Sequence, residues 1–130
     1  MKAYVAARFD KKQEVLGLHQ LLKQRGYEIA ADWTTHKSIK PYEQYKQLAG
    51  EYAVEESAAT MNCDVFIILS SDAGTGMYVE LGAAIASCLL RDRPKIYVVG
   101  ENNICSMFYF HPMVQRCDTA GEVLEKLNYG

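Results

Sequence analysis

Apolar and polar positions along the 130 residues fall into two alternating rhythms. Short β-like runs, "KAYVAARF" (2–9), "YEIAADW" (27–33), "DVFIILS" (64–70) and "PKIYVVG" (94–100), are separated by longer stretches with helical spacing. In residues 11–26, Val15, Leu18, Leu21 and Leu22 make one apolar stripe, and Gly26 is placed to end the helix in the left-handed conformation that glycine tolerates. A polar connection over 34–41, closed by Pro41, leads into a long helix predicted for 42–61. The run 64–70 is apolar at nearly every position, as a strand covered on both faces requires, and the helix after it (77–90) is rich in small residues. Residues 101–117 combine a loop with a last short strand, and 119–128 form a closing helix with Thr119 as N-cap. Regular βα alternation with continuous apolar strands predicts parallel pairing, because parallel crossovers need covering helices. The expected fold is a three-layer α/β/α sandwich, one domain over 1–130, around a mostly parallel five-stranded sheet of the flavodoxin or Rossmann type.

Composition narrows the functional classes. With 49% hydrophobic and 23% charged residues the chain can bury a core without staples. A formal charge of −2 and no basic run argue against a nucleic-acid polymer as partner. No apolar stretch approaches the roughly 20 residues that span a bilayer, so no membrane partner is expected. The opening "MKAYVAARFD" reads as a strand rather than a signal peptide, which gives a cytoplasmic expectation. Cys63, Cys88, Cys105 and Cys117 contain no CxxC pair, and His36 and His111 lack ligand spacing, so neither metal nor cofactor is expected.

Open parallel sheets bind ligands beyond the carboxyl ends of their strands. The segments that matter are therefore the loops at 7–9, 32–36, 70–76 and 100–112. Gly74, Thr75 and Gly76 let the backbone turn tightly before the third helix, and their amides can face an anion or a sugar hydroxyl. The motif is neither a P-loop nor a dinucleotide fingerprint, since it lacks Lys-Ser/Thr and follows the third strand. Glu80 is expected in the first turn of its helix, where the dipole favours a carboxylate; a nucleophile and a simple helix-capping acid are both open readings. Leu48, Tyr52, Glu56 and Ala59 recur at helical spacing, which sets Glu56 on the stripe facing the sheet. Burial and a like charge would hold a proton on Glu56 while Glu80 stays ionised, a division into acid and nucleophile. Asp72 either closes a turn or accepts from a ligand hydroxyl, and Asp32 with Trp33 suits a planar heterocycle. Arg8 is placed for a phosphate or ribose contact, with Phe9 beside it in the first loop.

The opening strand, "DWTTH" after the second, an acid eight residues before the Asp of "CDVFIIL", and "DAGTGMYVELGAA" together resemble the nucleoside 2-deoxyribosyltransferases and the related deoxynucleoside 5'-monophosphate N-glycosidases. The resemblance runs over nearly the whole chain and is most specific at residues 74–82. It implies that Glu80 attacks the anomeric carbon of a nucleoside or nucleotide to form a glycosyl-enzyme intermediate, and that Glu56 stands where the family usually has an aspartate handling substrate and proton. It further implies a homodimer or higher homo-oligomer whose site is completed across the interface, a role that the apolar segment "SMFYFHPM", including Ser106 and Met107, fits. The first loop lacks the family's Gly-Ser phosphate cradle, which together with Asp72 favours a nucleoside over a 5'-phosphate, with Arg8 keeping the second open. A phosphoribohydrolase acting on nucleoside monophosphates and a non-catalytic binding module on the same fold are the alternatives.

Overall fold

A computed structural model describes residues 1–128. The elements run β1 (Lys2–Ala6), α1 (Lys12–Gln24), β2 (Glu28–Ile29), α2 (Lys46–Asn62), β3 (Val65–Leu69), α3 (Gly76–Arg91), β4 (Lys95–Val99), β5 (Val114–Cys117) and α4 (Ala120–Asn128). All four pairings are parallel, in the order β2-β1-β3-β4-β5. The fold is the expected three-layer α/β/α sandwich. Every residue of β3 is buried, as its unbroken apolar run requires.

Three boundaries differ from the sequence expectation. The first strand stops at Ala6 because its ladder to β3 ends with the pair Ala6↔Ile68; Phe9–Lys11 is a 3-10 turn. The second strand is two residues long rather than seven. It is an edge strand, and the Trp33 indole donates to the Val5 carbonyl at 2.7 Å, so a side chain takes the acceptor on β1 that a longer β2 would use. The helix predicted from residue 42 begins at Lys46, because Tyr45 (φ −133°, ψ 38°) separates it from a 3-10 turn at Tyr42–Gln44. In α1 the buried stripe is Val15, Leu18, His19 and Leu22. That is the i, i+3, i+4, i+7 set, so Leu21 falls off it and is exposed.

Helix α1 packs on β1 and β2 and α4 on β4 and β5, while α2 and α3 pack against each other over β1, β3 and β4. Right-handed crossovers out to β2 and back over β1 to β3 put α1 on one face and the α2/α3 pair on the other. The direction in which successive strands are added across the sheet therefore reverses between β1 and β3. A crevice opens at their carboxyl ends, where such sheets hold ligands.

Candidate active site

In β1 alternate side chains point to opposite faces, so Tyr4 and Ala6 face the α2/α3 layer. Tyr4 pairs in register with Phe66 of β3, ring centroids 6.1 Å apart, and is fully buried. Its phenol reaches the gap between α2 and α3. There the hydroxyl donates to Glu80 Oε2 and lies 3.3 Å from Glu56 Oε1. A phenol has one proton, so it serves one carboxylate fully; the second contact becomes a full hydrogen bond when Glu56 carries a proton and donates it to the phenol oxygen.

Glu80 is the fifth residue of α3, not a first-turn residue, so the helix amides do not hold it. Burial dominates and raises its carboxyl from 4.5 to about 8, with the nearby Glu56 charge adding and the Tyr4 hydroxyl opposing. Glu56 is raised as well, by burial first, and lowered in part by His36 and the Tyr4 bond. The two carboxyls lie close enough that the titration of each depends on the other. Burial thus holds both acids toward the neutral form, Glu80 as well as Glu56, where the sequence expectation left Glu80 ionised. Tyr4 is pushed far above its usual value by burial and by both acids, so it acts as a permanent donor.

His36 meets the acid pair from the side. Its Nδ1 lies 3.4 Å from Glu56 Oε2 and its Nε2 3.4 Å from Glu55 Oε1. The ring stacks on Tyr52 with centroids 3.7 Å apart and 2° between planes. His36, Tyr52, Glu56 and Glu80 line one cleft of about 780 Å³, a size that suits a nucleoside. Ala7, Arg8 and Phe9 close one wall and Gly74 to Met77 another, and Lys37 and Lys40 stand with them in the lining. Gly74 has φ +124°, and a Cβ there would meet Met77 Cε at 3.0 Å and Arg8 Cγ at 3.1 Å, so only glycine lets this loop lie against the end of β1.

The fold is similar to that of a CMP N-glycosidase. That protein, BcmB from Clostridium botulinum, superposes with a TM-score of 0.62 over 99% of this chain and 98% of its own, at 20% identity. No protein-family model and no curated protein matches the chain. The likeness to the CMP N-glycosidase is one of fold.

Of the residues singled out from sequence, Arg8, Phe9, Trp33, Glu56, Gly74, Thr75, Gly76 and Glu80 line the cleft together. Trp33 is buried and its indole is committed to Val5, so it forms the floor more than a stacking platform. Asp32 lies apart, capping its own turn by accepting from the Thr34 amide and hydroxyl, with His19 Nδ1 at 3.8 Å. Asp72 is exposed, 3.9 Å from Arg8, which also has Asp10 at 3.9 Å. Ser106 caps the turn Met107–Phe110 by accepting from the Phe108 amide, and Met107 is exposed; neither lines the cleft. Sequence reasoning missed Tyr4 and set His36 aside. Tyr4 had a usable signal: a phenol in a fully buried strand needs a partner for its hydroxyl. Among the described residues no group of three or more His, Cys, Asp or Glu is arranged to hold a metal, and no helix is long and apolar enough to cross a membrane.

Proposed function

We propose that the chain cleaves the N-glycosidic bond of a nucleoside or nucleoside monophosphate, with Glu80 as nucleophile and Glu56 as proton donor. The observation that carries this reading is two neighbouring carboxyls lining a nucleoside-sized cleft, both within reach of one buried phenol that donates to Glu80; in the proposed mechanism the pair shares one proton. The similar fold of a CMP N-glycosidase supports it. Substrate binding between the acids moves the shared proton to Glu56. Ionised Glu80 then forms a bond to the anomeric carbon as the bond to the base breaks, and the departing nitrogen takes the proton from Glu56. In the second half, Glu56 as carboxylate takes a proton from the incoming acceptor, which displaces Glu80. Water as acceptor gives hydrolysis and a second base gives transfer. Arg8, Lys37 and Lys40 supply cations for a 5'-phosphate, whereas Asp10 and Asp72 offset Arg8, so both substrate classes belong in the assay.

Exposed Val54 and Met61 on α2, Val79, Leu89 and Leu90 on α3, and Met107, Phe108 and Phe110 before β5 support self-association into a homo-oligomer. The decisive experiment incubates the protein with nucleosides and nucleoside monophosphates, with and without a free acceptor base, and measures released base. Glu80→Ala should lower release by about three orders of magnitude or more with circular dichroism unchanged. Turnover within a few-fold of wild type would remove Glu80 as nucleophile, and no release from any substrate by the wild type would favour a binding module.

A further inference from the structure

We propose that His36 is a positioning residue for Glu56, its ring clamped between the carboxylates of Glu56 and Glu55. The inference rests on the glycosidase reading for its consequence in catalysis, and on the geometry alone for its effect on Glu56.

Both ring nitrogens face a carboxylate at 3.4 Å, Nδ1 toward Glu56 and Nε2 toward Glu55. A neutral imidazole carries one N–H and would turn a lone pair to one of those anions; only the doubly protonated ring donates to both. Three further contacts hold the ring. Its backbone amide donates to the Trp33 carbonyl at 3.0 Å, its flat face lies on Tyr52, and its side chain is only 12% exposed. The charged and titratable groups around it are Glu55, Glu56 and Tyr52 from α2, with Tyr4 of β1 and Glu80 of α3 reached through Glu56. Lys37, its chain neighbour, has its ammonium over the Tyr45 ring at 5.5 Å. Glu55 is half exposed and ties the ring to solvent, while Glu56 faces the cleft.

Burial first, and then the Glu55 charge, make Glu56 reluctant to lose its proton; His36 leads the groups that oppose them, ahead of the hydrogen bonds with Tyr4 and Glu80. As Glu56 gives its proton to the departing base, the charge that appears on its carboxylate falls beside the His36 ring. The effect is greatest for bases that leave poorly, because their departure needs the most complete proton transfer.

The test compares wild type with His36→Asn, which keeps a polar side chain of similar reach without the charge, and with Tyr52→Leu, which removes the stacking face only. First, the Glu carboxyl carbons are titrated by NMR with selectively labelled protein, Glu56 being assigned from Glu56→Gln. His36→Asn should raise the Glu56 midpoint by one pH unit or more, with Tyr52→Leu moving it less. Second, the pH-rate profile for base release is measured on a good and a poor leaving group. Its alkaline limb should move upward in His36→Asn, and the rate should fall about tenfold for the poor leaving group with KM little changed. A Glu56 midpoint within 0.3 pH unit of wild type in folded His36→Asn overturns the inference, whether or not the protein releases base. Absence of turnover with a shifted midpoint leaves His36 in its role and instead removes the glycosidase reading.

Discussion

Replacing Glu80 by glutamine should stabilise the protein at alkaline pH, by an amount that follows from where Tyr4, α2 and α3 enclose the carboxyl. An unfolded glutamate titrates near its ordinary value of 4.5, and the folded one near 8. Between those values the folded state binds more protons than the unfolded state, so stability is fully present below about 4.5 and is lost as pH rises through about 8. At about 1.4 kcal/mol per pH unit the gap amounts to about 5 kcal/mol between pH 4 and pH 9. Glutamine stays neutral throughout, and its amide oxygen still accepts from the Tyr4 hydroxyl. The measurement is a series of urea unfolding curves from pH 5 to pH 9 on both proteins. His19, whose imidazole burial pushes down, destabilises both at acid pH and cancels in the difference. The stability of Glu80→Gln minus that of wild type should rise by about 3–5 kcal/mol across the series, a midpoint separation on the order of 2 M urea at pH 9. Two curves that stay parallel over the whole range would refute the idea that Glu80 is neutral when folded at neutral pH, and with it the shared-proton pair.

Tyr4→Phe removes the donor that favours ionised Glu80; a hydroxyl bond to a charged group is worth about 1.5–3 kcal/mol, so the acid limb of base release should move up by about 1–2 pH units, with activity at pH 7 down about tenfold or more and recovering as pH rises. Trp33→Phe leaves the Val5 carbonyl without its partner, and urea unfolding should show a loss of about 1–3 kcal/mol. Gly74→Ala forces a side chain into a left-handed backbone against Met77 and Arg8; unfolding free energy should fall by about 1–3 kcal/mol and KM should rise as the loop leaves its place at the cleft.

The layer architecture was legible because it depends on periodicity alone: an unbroken apolar run such as 65–69 has no stable place except between two helical layers, and βα alternation then dictates parallel order. The stripe Leu48, Tyr52, Glu56, Ala59 likewise pointed Glu56 inward, since residues three and four apart share a helix face whatever the surroundings. The length of β2 was not legible, because a side chain from beyond the strand, the Trp33 indole, takes the carbonyl on which the ladder would have continued. Nor was the partner of the acids. Tyr4 lies far from Glu56 and Glu80 in sequence, and only the packing of α2 and α3 over β1 brings one hydroxyl to both. His36 looked like a solitary histidine in a polar connection until the fold set it on Tyr52 between two glutamates. That burial raises both carboxyls was not legible either. A carboxyl's charge state follows the depth of burial and the direction of its neighbours' dipoles, which the spacing of residues along a chain does not contain and the tertiary structure does.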